Sequence, residues 1–133
     1  MKRLLVVFAV AICVSLLFSA TAAAGTGYWI GNNYYYNYGN GLTSTSYYIG
    51  NTLYTNWSNG QSASSYSIGS HYYTNYNSGL RSNSYWIGNN YLTNWNDGTS
   101  ANSYWLGRTL FTDTSWGAHS SGTQIGNTWF DSW

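Results

Sequence analysis

Proline is absent from the chain, and cysteine occurs once, at Cys13. With no second cysteine there is no intrachain disulfide, so a small secreted domain of this sequence has to be held by its core and its ladders. Charge is nearly as scarce, at 5% of residues. From Gly25 onward the charged residues are Arg81, Arg108, Asp97, Asp113 and Asp131, two positive against three negative, for a net charge of −1. With no basic patch to neutralise phosphates, nucleic acid and anionic membrane surfaces are excluded as partners. Helical periodicity is missing throughout the same region.

A long apolar run occurs only at the N-terminus. Lys2 and Arg3 precede an apolar stretch from Leu4 to Phe18, and the small residues SATAAA follow at 19–24. This order reads as a secretory signal peptide cleaved after Ala22 or Ala24. The run falls short of the ~20 apolar residues of a spanning helix. Ile12 stands before Cys13, where a lipid-anchoring signal needs a small residue. The expected product is therefore secreted (extracellular, cell surface or periplasm), has no integral membrane span after cleavage, and forms a single domain over 25–133.

What is abundant is aromatic: all fifteen Tyr and all eight Trp lie after residue 24. They recur with a strict period. Units begin at Tyr28, Tyr47, Tyr66, Tyr85, Tyr104 and Thr123, each nineteen residues after the last. Position three of the unit is Ile30, Ile49, Ile68, Ile87, Leu106 and Ile125. Position four is Gly31, Gly50, Gly69, Gly88, Gly107 and Gly126, and position fourteen is Gly41, Gly60, Gly79, Gly98 and Gly117. A fixed period near twenty marks a supersecondary unit that needs a neighbour of its own kind.

The glycine columns place the turns. Asn40-Gly41, Asn59-Gly60 and Asp97-Gly98 are strong hairpin signals, expected to supply positive φ at a tight turn. Gly31-Asn32, Gly50-Asn51 and Gly88-Asn89 mark a two-residue turn at the other end of the unit. Between the turns lie runs rich in Tyr, Trp, Thr and Ile, which suit a pleated sheet. The fold class is all-β: tandem hairpins in an antiparallel meander of about eleven strands, either an open curled sheet or a closed barrel. A β-solenoid is the alternative. Pairing of Ile49 with Tyr54 across Gly50-Asn51 would mark the meander, and pairing of Thr55 with Thr74 the solenoid.

Three columns carry candidate binding groups. Position nine holds Tyr36, Thr55, Thr74, Thr93 and Thr112; position ten holds Asn37, Asn56, Asn75, Asn94 and Asp113; position eleven holds Tyr38, Trp57, Tyr76, Trp95 and Thr114. Alternation along a strand puts nine and eleven on one face. Position ten shares the other with position eight, which is Tyr35, Tyr54, Tyr73, Leu92, Phe111 and Phe130. Such rows stabilise a sheet simply as cross-strand ladders. They also offer flat rings beside amides and hydroxyls, a combination suited to sugars. The candidate ligand-binding residues are Tyr38, Trp57, Tyr76, Trp95, Thr55, Thr74 and Thr93, with glycan or cell-envelope material as the partner. Self-association is the other reading, because proline-free, low-charge strands with repeated side chains favour stacking.

Nothing points to catalysis, a metal or a cofactor. His71 and His119 occupy different columns, and the three aspartates fall in a turn, a ladder position and the terminal strand. The unit I-G-N-x-x-Y-T-N-W-x-x-G resembles tandem aromatic, Gly- and Asn-rich repeats of uncharacterised secreted bacterial proteins. In outline it is also similar to curli-type amyloid subunits, although Gln61 and Gln124 do not form their regular Gln columns. Choline-binding-type cell-wall repeats are similar in length and aromatic content, with a different Trp-Tyr-Tyr spacing. The expectation is a secreted, non-enzymatic β-repeat protein of the cell surface or extracellular matrix.

Overall fold

The computed structural model describes residues 25–132; the signal-peptide reading of 1–24, and Trp133, lie outside the described residues. Twelve strands follow one another and close into a barrel in which each strand pairs antiparallel with its neighbours in sequence. The first six are β1 (Gly25–Ile30), β2 (Asn33–Asn37), β3 (Thr43–Ile49), β4 (Thr52–Trp57), β5 (Ser62–Ile68) and β6 (His71–Tyr76). The second six are β7 (Arg81–Ile87), β8 (Asn90–Trp95), β9 (Ser100–Leu106), β10 (Thr109–Thr114), β11 (His119–Ile125) and β12 (Thr128–Ser132). There is one strand more than the repeat count suggests, because Gly25–Gly27 lengthen the Tyr28–Ile30 segment into a full strand. The meander is therefore the architecture, in its barrel form. Thr55 pairs with Ser46 and Ala63 and not with Thr74, which removes the solenoid.

Both turn types follow from the glycine columns, though not quite as the dipeptides imply. At Gly50-Asn51 the register is Ile49 with Thr52 and Tyr47 with Tyr54, so the turn is two residues long and two residues tighter than an Ile49–Tyr54 pairing. Gly50 has φ +59° and Asn51 is not in the positive region, which fits a type II′ turn with Gly at its first central position. At the opposite rim the loop is three residues, Ser58-Asn59-Gly60. Gly60 N donates to Trp57 O at 3.1 Å and Trp57 N to Gln61 O at 2.9 Å. This is the type I turn followed by a left-handed glycine, here Gly60 at φ +86°. Asn59 therefore serves not through positive φ but through its side chain, whose Oδ1 accepts from Gln61 N at 3.0 Å.

Neighbouring loops on this rim clasp one another. Asn77 N donates to Ser62 O at 2.9 Å, and Ser62 N donates back to Asn77 Oδ1 at 3.1 Å. Asn96 and Arg81 repeat the exchange one unit later, at 3.0 Å in both directions.

Closure follows from the register. Tyr28 pairs with Tyr35, and Tyr35 with Thr45, which stands two residues before Tyr47, the equivalent of Tyr28 in the next unit. Each unit thus advances the stagger by two residues. The last step repeats the rule: Thr128 pairs with Tyr28 as Asn33 does with Tyr47 and His71 with Tyr85. One residue of slip per strand against the usual strand spacing tilts the strands by about 35°, within the range of closed barrels.

Inside, side chains form three layers. The middle one is small and polar. Ser46–Thr55, Ser65–Thr74, Ser84–Thr93 and Ser103–Thr112 are cross-strand pairs whose hydroxyls are hydrogen-bonded at 2.8–2.9 Å, all buried. Above and below it are aromatic layers, with Tyr34, Leu53, Tyr91, Leu110 and Trp129 toward the two-residue turns and Tyr38, Trp57, Tyr76 and Trp95 toward the three-residue loops. Most large rings pair with a small residue on one adjoining strand: Trp57 with Ser44, Tyr76 with Ala63, Trp95 with Ser82 and Tyr91 with Ser103. Trp129 lies over Gly122, where an added Cβ would overlap the indole ring. Gly122→Ala should therefore lower stability by about 1–3 kcal/mol through overpacking, read as a reduced denaturation midpoint with an unchanged m-value.

Candidate functional site

The barrel wall separates the aromatic columns into two systems. Every candidate ligand-binding residue faces inward. Tyr38, Trp57, Tyr76 and Trp95 are each less than a tenth exposed, and Thr55, Thr74 and Thr93 are buried with them. Trp57 Nε1 donates to Tyr38 Oη at 2.8 Å, and its ring stacks on Tyr76 at 6.2 Å. These residues form the core, so the face they share is not the one a large external ligand would meet. Threonine alternating with aromatics did not reveal this, because both strand faces carry rings and only closure decides which is hidden.

The outward-facing system, half-buried to exposed, is the pairing of position one with position eight. Tyr28–Tyr35, Tyr47–Tyr54, Tyr66–Tyr73 and Tyr104–Phe111 are stacked across their hairpins with centroids 5.7–6.0 Å apart and planes within 24°. Tyr85 opposite Leu92 and Thr123 opposite Phe130 complete the ring of hairpins. Between successive pairs stands a position-six side chain: Asn33 opposite Tyr47, His71 opposite Tyr85 and Asn90 opposite Tyr104. His71 packs against Tyr73 and Tyr85 and is hydrogen-bonded through Nδ1 to Asn83 Oδ1 at 3.0 Å. On one side of the belt runs the position-ten row, with Asn56 Nδ2 donating to Tyr47 Oη at 3.5 Å. On the other side the position-three residues Ile30, Ile49, Ile68, Ile87, Leu106 and Ile125 are 58–68% exposed. The repeat thus produces a belt of ring platforms, amides and hydroxyls flanked by an aliphatic rim.

Charge lies mostly off the belt. Asp97 caps its own loop, accepting from Thr99 N at 2.9 Å and Thr99 Oγ1 at 2.6 Å, and these bonds hold its carboxyl below the usual range. His119 Nδ1 and Asp113 Oδ1 are 2.7 Å apart at the exposed surface. Asp131 lies off the belt as well, as a nearly buried carboxylate pointing inward at the β1–β12 seam, where it accepts from Tyr36 Oη and, at 2.7 Å, from Gly25 N. Burial raises the hydroxyl pKa of Tyr34, Tyr36 and Tyr91 well beyond the ordinary tyrosine range, and for Tyr34 and Tyr36 the Asp131 charge pushes it further.

Two outcomes follow. Trp57→Ala should cost about 3–5 kcal/mol in a denaturant titration, because it empties a buried indole site and strips Tyr38 of a donor. The buried tyrosines hold their protons more tightly in the barrel than in the unfolded chain. Their contribution to stability is thus complete below pH about 10 and declines as pH rises above it. A spectrophotometric titration should show the tyrosinate signal of Tyr34, Tyr36 and Tyr91 appearing in a cooperative step that coincides with loss of the far-UV sheet signal.

No family model, no curated protein and no solved structure matches this chain.

Proposed function

We propose that the protein is a secreted, non-enzymatic binding module for uncharged glycan of the cell envelope or extracellular matrix, engaged through the outer belt. The observation that carries this reading is the recurrence of stacked, solvent-facing ring pairs beside amide and hydroxyl side chains around the barrel. A pyranose presents an apolar face to an aromatic ring and its hydroxyls to neighbouring amides. A contiguous exposed aromatic surface is the usual mark of an interaction site. Successive platforms lie about 10–12 Å apart around the wall, from two tilted strand spacings, a separation on the scale of a disaccharide. Weak contacts repeated along a polymer add as avidity without any one site being strong.

Three further observations favour this reading over its rivals. The belt has little charge of either sign, which suits a neutral polymer better than a phosphate or an acidic chain. The closed ladder leaves no unpaired strand edge, the feature that templates edge-to-edge fibre growth. The strands, at five to seven residues, are also shorter than the ~9–11 of spanning strands.

Co-sedimentation with insoluble polysaccharides (chitin, cellulose and peptidoglycan sacculi) tests the reading. Tyr54→Ala with Tyr66→Ala should weaken binding by about tenfold while the thermal transition stays cooperative. Trp57→Phe, which keeps an inward ring, should leave binding unchanged. Retention of none of the polysaccharides by the parent protein would refute the reading.

A further inference from the structure

The seam where the barrel closes departs from the repeat. Position nine is Thr55, Thr74, Thr93 and Thr112 in the middle units, hydrogen-bonded to Ser46, Ser65, Ser84 and Ser103. In the last unit position nine is Asp131, a carboxylate in place of a hydroxyl, and it faces the first residue of β1. Gly25 N donates to Asp131 Oδ1 at 2.7 Å in a buried contact, and Tyr36 Oη donates to the other oxygen. A Cβ on Gly25 would overlap both Tyr36 Oη and Asp131 Oδ1, so only glycine brings its nitrogen this close. The residues just before it, Ala22-Ala23-Ala24, place small side chains one and three positions upstream of the Ala24–Gly25 bond, as leader cleavage requires.

We infer that Ala24–Gly25 is the processing site and that its hydrolysis creates an ion pair that locks the seam. Water adds across the amide: Ala24 leaves with the new carboxylate, and the freed Gly25 amine takes a proton to become an α-ammonium. Before cleavage the Gly25 nitrogen offers Asp131 a single amide proton. Afterwards it offers a full positive charge at the same place, and charge-assisted hydrogen bonds to a carboxylate are about twice as strong as neutral ones. In this buried setting the attraction between the two charges is stronger than at a surface and works against the cost of desolvating the new ammonium. The carboxylate in the last repeat is thus matched to a cation that appears only on maturation. The inference rests on the secretory reading of residues 1–24, and the experiment separates the two.

The full chain would be secreted from a bacterial host and its intact mass measured. A mature N-terminus at Gly25 is expected; retention of the leader overturns the secretory reading, and cleavage at another bond overturns the lock alone. Four secreted proteins would then be melted: the parent, Asp131→Asn, and the same pair carrying one serine inserted between Ala24 and Gly25, which keeps the Gly25 nitrogen an amide after cleavage. The parent should melt about 5–10 °C above its serine-extended form, and Asp131→Asn should abolish that difference. An equal penalty for Asp131→Asn in both backgrounds refutes the lock. Should Asp131→Asn fail to fold, reductive methylation of the parent decides. A locked Gly25 amine reacts at least about tenfold more slowly in the folded than in the unfolded protein, the protection expected of a group exposed only by opening of the seam, and equal rates refute it.

Discussion

Pairing of the last strand with the first is the constraint on which the rest of the molecule depends. A meander of short hairpins has two free edges, each a row of unmet backbone donors and acceptors. Here the edges satisfy each other, because every unit advances the stagger by the same two residues and the final step from Thr128 to Tyr28 obeys the same rule. The uniform unit length is what makes this possible. One insertion in a strand would shift every later side chain to the opposite face, and with it the separation of core from belt.

Closure also explains how so aromatic a chain can be folded without disulfide, proline or much charge. Rings alternate between two walls. Those pointing inward are accommodated because serine, alanine or glycine stands opposite most of them on one adjoining strand. Those pointing outward stack in pairs across four of the six hairpins. The buried hydroxyls of the middle layer meet one another and so avoid the cost of unpaired polar burial. Where the repeat changes, at Tyr36, Gly122 and Asp131, the changes compensate: glycines make room for Tyr34 and Trp129, and Asp131 takes the Tyr36 hydroxyl.

Much of the fold was legible because turn chemistry is local. Gly50 and Gly60 placed both kinds of connector, and tight connectors leave consecutive strands no choice but to pair antiparallel. The register at Gly50-Asn51 was misjudged by two residues, since a dipeptide does not say which flanking pair closes the turn. The choice between open sheet and barrel was not legible, because it depends on a stagger summed over the whole chain. That same non-local quantity decided the candidate site. Trp57 and Tyr54 look equally suited to meeting a ligand from the sequence. Only the direction of curvature buries the first and exposes the second. The exposed pairing of position one with position eight was visible as two aromatic columns, and the missing signal was that they face each other across the two-residue turn. Asp131 was invisible as anything other than a terminal aspartate, because its neighbour Gly25 is 106 residues away.

The belt, the core and the seam all presuppose a ring closed within one chain. The most direct test is a nuclear Overhauser experiment on isotope-labelled mature protein at a concentration where it is monomeric. Cross-strand contacts between Gly27 and Trp129, and between Thr26 and Phe130, should appear with intensities comparable to those of the internal pairs Tyr36–Ser44 and Thr112–Ser120. Their absence in a folded monomer, or their appearance only between differently labelled chains, would contradict closure.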